Sequence, residues 1–492
     1  MTVDAAQASG VADKVPDTDE WRPAPSAQRP SASFFDDMLF YMLIAIVALA
    51  PLPLASNRPL PGAVLCFAIA LLLLCWGLNL VLGRGRASVQ LRNLWGVLLL
   101  YGAPCLWIAL QAFPWMPHGW QHPIWEMASP LIGQPLQGYI SVDPGETLAG
   151  LGRMLSYFGV FWLALQFGRR SARAQTAITA CVIIGVVYSA YGLVIYALGN
   201  NWILFYPKWA YFDSLTSTFV NRNSFATFAG LCLLAAIARF VDKIDVLIER
   251  RGTLKSKLVE IINQIFVHAW SSTLPILVIA IALVLTGSRG GTAATAVALF
   301  SMAAFSFFNR RTSVRQMLFI SLGILALVFF SMFIGGGLLE SRFSTLGDDP
   351  SSGRFAIYEI VWDAIVQSPW IGTGFGSFPD IFPWFRDGRF INDSVWSQAH
   401  NSYLENALEL GVPATIALNL SVALVGWRCF RGFIRRHRRK TIPLLGVCAT
   451  VLVAAHALVD FSLQIPAVSV LFAFMLGTAL AQSWSSRDVT EV

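Results

Sequence analysis

Apolar residues in this chain gather into blocks near 20 residues long, and that pattern constrains the fold more than any motif does. The blocks run about 38–55, 62–82, 94–113, 148–168, 174–199, 223–241, 270–287, 291–308, 317–339, 411–430, 441–460 and 465–484. A run of this length matches the hydrocarbon thickness of a bilayer, where a helix satisfies its own backbone N–H and C=O groups. Charged residues make up 13% of the 492 positions and hydrophobic ones 56%, whereas a soluble domain carries roughly 25% charge. The expected fold is an all-α polytopic membrane protein of about 12 transmembrane helices. The seventh block, short and interrupted by Pro275, is the weakest of the set.

Lysine and arginine set the expected orientation. One alternating set of loops holds 21 of them, including Arg84, Arg169, Lys243, Arg310 and the run from Arg428 to Lys440. The other set holds 8: Arg58, Lys208, Arg222, Arg289, Arg342, Arg354, Arg386 and Arg389. Basic loops stay in the cytoplasm, so both termini are expected inside. The net charge of +7 is thereby a topology signal and gives no reason to expect nucleic acid. Residues 1–34, rich in Ala, Pro, Ser and Asp, read as a disordered cytoplasmic tail. Acidic Asp36 and Asp37 directly before Met38 argue against a signal peptide. The domains expected after the tail are transmembrane helices 1–9 over 35–339, a periplasmic loop over 340–410, helices 10–12 over 411–484 and a second cytoplasmic tail over 485–492. All seven cysteines lie within or beside apolar blocks, so neither a disulfide framework nor a cysteine zinc site is expected.

Two outer loops are long. Residues 114–147 lack Lys and Arg but contain Trp115, Trp120 and Trp125, a composition suited to the lipid headgroup level. Within 340–410, Phe355, Ile357, Ile360, Val361, Ala364 and Ile365 fall opposite Glu359, Asp363 and Gln367. That pattern predicts an amphipathic helix from Arg354 to Gln367, capped by Ser351 or Ser352 and stopped by Ser368-Pro369. Gly372-Thr373-Gly374-Phe375-Gly376 predicts a tight turn; it lacks the strand-then-helix setting of a dinucleotide site, and Asp348-Asp349-Pro350 reads as another turn. On the inner side, 254–270 reads as a helix lying on the membrane surface.

Candidate chemistry concentrates on the outer side. Arg289, in Thr286-Gly287-Ser288-Arg289-Gly290-Gly291, stands between two apolar blocks at the membrane edge. Snorkelling to lipid phosphate or an anion held in a site would each offset the cost of charge there, and the flanking glycines allow a ligand to approach the backbone closely. Arg222 follows Asn221 and precedes Asn223 and Ser224 at the start of the sixth block. This is either an ordinary capped helix with a snorkelling cation or an anion site. Two such arginines on one face would suit a diphosphate. His400, in Gln398-Ala399-His400-Asn401-Ser402-Tyr403-Leu404-Glu405, joins a polar loop to a helix, and an imidazole titrating near 6.5 suits proton transfer at neutral pH. His456 and Asp460, at i, i+4 spacing, are expected to hydrogen-bond each other or a neighbouring helix. His118, His122, His268 and His437 read as structural; Gly119 and Pro123 disfavour the helix that a metal pair at 118 and 122 would need. No spaced carboxylate set for a metal is apparent.

From Phe219 to Pro466 the chain resembles the bacterial O-antigen ligase and O-antigen polymerase superfamily. The matching pieces, in order, are Asn221-Arg222-Asn223, Thr286-Gly287-Ser288-Arg289-Gly290, Ser352-Gly353-Arg354 with Trp362, Gly372-Thr373-Gly374-Phe375-Gly376, His400-Asn401-Ser402-Tyr403-Leu404 with Glu409 and Gly411, and His456 with Asp460-Phe461. The resemblance implies a fold similar to lipid-dependent membrane-embedded glycosyltransferases. It implies transfer or polymerisation of undecaprenyl-diphosphate-linked oligosaccharide at the periplasmic face of the bacterial inner membrane, with no cofactor and no metal. The partners it implies are that donor, a glycan or lipid A-core acceptor, and membrane lipids. Carried over, Arg222 and Arg289 engage the diphosphate and His400 acts at the reacting hydroxyl; Asn221, Asn223, Arg354, Asn401 and Tyr403 are the expected substrate-binding companions. The residues leave ligase and polymerase equally open. A transporter or flippase of lipid-linked sugar is the competing class, but such proteins commonly show two similar halves, and no internal repeat is evident here.

Overall fold

The computed structural model describes residues 34–249, 269–308, 350–387, 396–436 and 440–484, with backbone alone for 244–249, 269–272 and 350–354. The expected tails, most of the inner-surface helix at 254–270, the ninth apolar block, the Asp348-Asp349 turn, His268 and His437 lie outside the described residues. Every other apolar block is one helix: α1 Phe34–Leu49, α2 Pro59–Val81, α3 Trp95–Gln111, α5 Pro144–Gly168, α6 Ser171–Ala197, α7 Arg222–Glu249, α8 Ala269–Leu285, α9 Arg289–Phe308, α13 Val412–Arg435, α14 Thr441–His456 and α15 Pro466–Ala481. Between them lie α4 Ile124–Ile132, α10 Pro350–Gln367, α11 Phe378–Phe385 and α12 Ser402–Leu410, with a two-stranded hairpin, β1 Trp202–Ile203 and β2 Tyr206–Pro207. Among the described residues, seven helices are long and apolar enough to cross a membrane, and three shorter apolar ones accompany them. The protein is an all-α polytopic membrane protein.

The bundle is centred on α15, in which every residue from Pro466 to Ala481 is buried. A helix that is apolar all round needs neighbours on every side, and α5, α6, α7, α13 and α14 supply them. Small residues let the backbones close in, as they must where lipid offers no hydrophobic drive for association. Gly477 lies against the Phe161 carbonyl, and Gly168 faces Ala481, so that a Cβ added there would come within 3.0 Å of it. α2 is mostly lipid-facing, with 22% of its apolar window buried, whereas 78% of the window in α7 is enclosed.

A second, small core joins α10, α11 and α12 through Ile357, Ile360, Val361, Ala364, Ile365, Phe378, Ile381, Phe382, Ala399 and Leu408. Two details of the predicted amphipathic helix change. α10 already begins at Pro350, where a proline costs no intrahelical bond, so Ser351 and Ser352 belong to its first turn and do not precede it. Phe355 is 65% exposed; the apolar face is set by Ile357, Ile360, Val361, Ala364 and Ile365, and Phe355 lies off that stripe. The glycine turn forms as predicted and locks this core onto the bundle. Thr373 N and Gly374 N donate to the carbonyls of Leu408 and Glu409 (each 3.0 Å), and the Gln111 amide of α3 donates to Ile371 O (2.9 Å) and Glu409 O (2.7 Å).

Candidate functional site

Three helix N-termini are gathered around the last turn of α14. Asn221 Oδ1 accepts from the backbone N–H groups of Asn223 (2.7 Å) and Ser224 (3.4 Å), so it alone of the Asn221, Asn223 and Ser224 set caps α7. Ser288 Oγ accepts from Gly291 N (3.2 Å) at the start of α9, and Asn401 Oδ1 accepts from Tyr403 N (3.0 Å) and Leu404 N (3.1 Å) at the start of α12. Each cap satisfies a backbone donor that the first turn leaves open. The positive ends of the three helix dipoles remain, and they favour an anion.

Asp460 and His456 tie these ends together. α14 stops at His456, so the i, i+4 spacing does not pair the two side chains. Asp460 instead accepts from Asn223 Nδ2 (2.7 Å) and Ser462 Oγ (2.8 Å), while its backbone carbonyl accepts from Ser402 Oγ (2.9 Å). His456 Nδ1 is 2.6 Å from Thr227 Oγ1 of α7. Its ring lies against the start of α9: a Cβ on Gly290 would stand 3.2 Å from Nε2. Both side chains are buried. Their work is to join α7, α9, α12 and α14, which matches the second of the two expectations for them.

The Arg222 side chain comes to the turn that starts α9 at Arg289. The Arg222 guanidinium donates to Ser214 Oγ (3.2 Å) and lies over the Tyr211 ring at 5.4 Å. Its Nη1 would be 3.5 Å from a Cβ on Gly287, two residues before Arg289, so it rests against the turn that launches α9. Arg289 itself is exposed, at the first position of α9. Sequence reasoning treated Lys208 as a topology charge alone. Here its ammonium donates to Ser214 O (2.8 Å), on the serine whose hydroxyl accepts from Arg222. Burial lowers the Lys208 pKa, partly opposed by Asp213.

His400 occupies left-handed backbone at φ 56°, a conformation that costs a non-glycine residue about 1–3 kcal/mol. The Tyr358 hydroxyl holds it there by donating to the His400 carbonyl (2.8 Å). The imidazole stands edge-on between Trp396 (5.2 Å) and Phe461 (4.9 Å), and Phe461 follows Asp460 directly. Trp396 was not anticipated from the sequence. Of the expected companions, Asn401 is a cap, Asn223 is bonded to Asp460, and the Tyr403 hydroxyl donates to Ala454 O (2.9 Å). Arg354 lies in the first turns of α10, and its side chain is outside the description.

Beneath this surface two carboxyls are buried. Glu405 accepts from Ala399 N (2.7 Å) and Gln464 Nε2 (2.6 Å), and Glu409 accepts from Phe378 N (3.0 Å). Desolvation raises both, and for Glu405 the repulsion of Glu409 adds to it; Glu409 is pushed up to about 7, against the pull of backbone N–H groups and of Arg153 on α5. Arg153 was overlooked among the apolar residues of the fourth block, where a lone cation is the available signal. A carboxyl whose folded pKa exceeds its unfolded value contributes stability below the unfolded pKa and loses it as pH rises through the folded one. The melting temperature of the purified protein is therefore expected to fall between about pH 4.5 and pH 7, and Glu409→Gln to flatten that slope. A shift from 4.5 to about 7 corresponds to on the order of 3 kcal/mol. An equal slope in the variant would dissociate Glu409 from the effect.

Fold and site together define an intramembrane helical protein with a cationic, histidine-bearing site where helix N-termini meet. Residues 274–419, from within α8 to within α13, match the family model described as O-antigen ligase. The chain thus carries an O-antigen ligase domain, which supports its placement in the O-antigen ligase and polymerase superfamily. The matched segment includes Arg289, Arg354 and His400. Arg222, His456 and Asp460 fall outside it and reach the site through the packing just described. No curated protein matches the chain.

Proposed function

We propose that this protein is a glycosyltransferase that transfers or polymerises undecaprenyl-diphosphate-linked oligosaccharide at the periplasmic face of the inner membrane, for O-antigen, exopolysaccharide or capsule. The observation that carries the proposal is the approach of the Arg222 guanidinium to the turn that starts α9 at Arg289, in the same cluster of helix ends that holds His400. The excess of Lys and Arg at the other end of the bundle supports the periplasmic assignment.

The chemistry follows from these groups. The acceptor hydroxyl oxygen attacks C1 of the donor sugar, the bond from C1 to the diphosphate oxygen breaks, and the lipid diphosphate leaves with the bonding pair. Negative charge grows on that leaving group, so Arg222 and Arg289, aided by Lys208, lower the barrier by binding it more strongly in the transition state. His400 takes the acceptor proton. Asn221, Asn223 and Asn401 hold the helix starts in place, and the acceptor is a glycan or a lipid A core.

Purified protein supplied with lipid-linked glycan and acceptor is expected to form a new glycosidic bond, detected by intact mass; transport without bond formation would refute the reading. Arg289→Gln is expected to lower turnover by about 100- to 1,000-fold, the usual loss for one fixed donor to a developing oxyanion. Unaltered turnover would remove Arg289 from the leaving-group site.

A further inference from the structure

A cavity of about 340 Å³ opens between α6, α7 and α8, at the end of the bundle away from Arg222. Val182 and Val186 of α6, Phe240 of α7 and Pro275 of α8 make its walls, and Arg239 and Lys243 of α7 share its lining. The two cations are one helical turn apart, so their side chains rise from the same face. The acid between them, Asp242, accepts from Thr441 Oγ1 of α14 (2.6 Å) and also acts on Arg239, which leaves the pair of cations in excess over that single acid. The mouth thus combines two positive groups with apolar walls. Its volume lies in the range of small-molecule sites. Cations placed solely to orient the chain would reach outward to headgroups, whereas these line a recess between three helices.

We propose that this cavity binds an anionic glycerophospholipid of the cytoplasmic leaflet, with its phosphate between Arg239 and Lys243 and an acyl chain along Val182, Val186 and Phe240. Charge complementarity selects the headgroup, and the apolar walls select a lipid over a free anion. Basic recesses between membrane helices on the cytoplasmic side are suited to such headgroups. The site is separate from the one formed by Arg222, Arg289 and His400 and does not depend on the reaction assigned there.

The full chain, delipidated in neutral detergent, is titrated with phosphatidylglycerol or with phosphatidylethanolamine of the same acyl composition, and binding is read by native mass spectrometry and by the shift in melting temperature. Phosphatidylglycerol is expected to bind at least tenfold more tightly, and inorganic phosphate is expected not to displace it. Arg239→Gln with Lys243→Gln should erase the preference between headgroups. Val186→Trp, which fills the cavity and leaves both charges, should weaken phosphatidylglycerol binding by a similar factor and serves as the readout where the double variant does not fold. Equal affinity for the two lipids, displacement by inorganic phosphate, or undiminished phosphatidylglycerol binding by Val186→Trp would overturn the proposal.

Discussion

Replacing His400 with alanine is expected to reduce glycosidic bond formation at least 100-fold, the lower end for loss of a positioned acid–base group, while membrane insertion and melting temperature stay close to wild type. The ring is half-buried and touches Trp396 and Phe461 edge-on, so it contributes little to the core. The peptide carbonyl, which Tyr358 grips, survives the substitution. A second variant separates shape from proton transfer. Asparagine tolerates left-handed backbone better than alanine does, so His400→Asn keeps the φ of 56° at small cost and still lacks a side chain able to take the acceptor proton. Both variants should be equally inactive. Wild-type turnover by His400→Asn would show that the imidazole moves no proton in the reaction.

The second large effect is expected at Gly372. This residue has φ +75°, and an added Cβ would stand 2.6 Å from both the Glu409 carbonyl carbon and the Gly411 nitrogen. Both obstacles are backbone and cannot rotate away. Gly372→Val must therefore pull the turn off the end of α12, breaking the bonds from Thr373 N and Gly374 N to Leu408 O and Glu409 O. Left-handed strain of about 1–3 kcal/mol, with about 0.5–1.5 kcal/mol for each lost bond, sums to on the order of 4 kcal/mol. Activity should disappear, and the 350–410 region should become sensitive to added protease. Gly83→Val is the matched control: φ there is +68° but nothing lies within 4 Å, so it bears the strain alone. Similar losses in the two variants would mean that the interlock with α12 adds nothing.

Much of this architecture could be read from hydropathy because lipid imposes a length on every span. Even the seventh block, with Pro275, is one helix. Hydropathy says less about which faces meet. Phe355 was assigned to the buried face of α10, yet the partners that define that face, Phe378, Ile381 and Leu408, come from elsewhere in the chain. The short helix α4 was not anticipated inside the tryptophan-rich loop. None of its residues is buried, and Met127, Leu131 and Ile132 are exposed, which agrees with a segment suited to headgroup depth. At the site, the local signals were strong: asparagine caps on α7 and α12, an arginine at the start of α7 and of α9, a histidine before α12. What joins them is tertiary. The bond from Asn223 to Asp460 spans 237 positions, and neither residue type announces the other. Lys208, Arg153 and Arg239 were missed for a related reason, since a cation near a span reads first as topology until its neighbours are known.

The enclosure of α15 has a consequence for biogenesis. The helices made before it lack the neighbour that α5, α6, α7, α13 and α14 share until this segment leaves the ribosome and enters between them. Until then, Gly168 on α5 and Gly446 on α14 lack the α15 residues that pack on them, Ala481 and Ala479. Among the described helices, assembly is therefore completed from the inside, by a segment synthesised after every helix it joins, and a ribosome that stops short of residue 466 releases those spans without their shared neighbour.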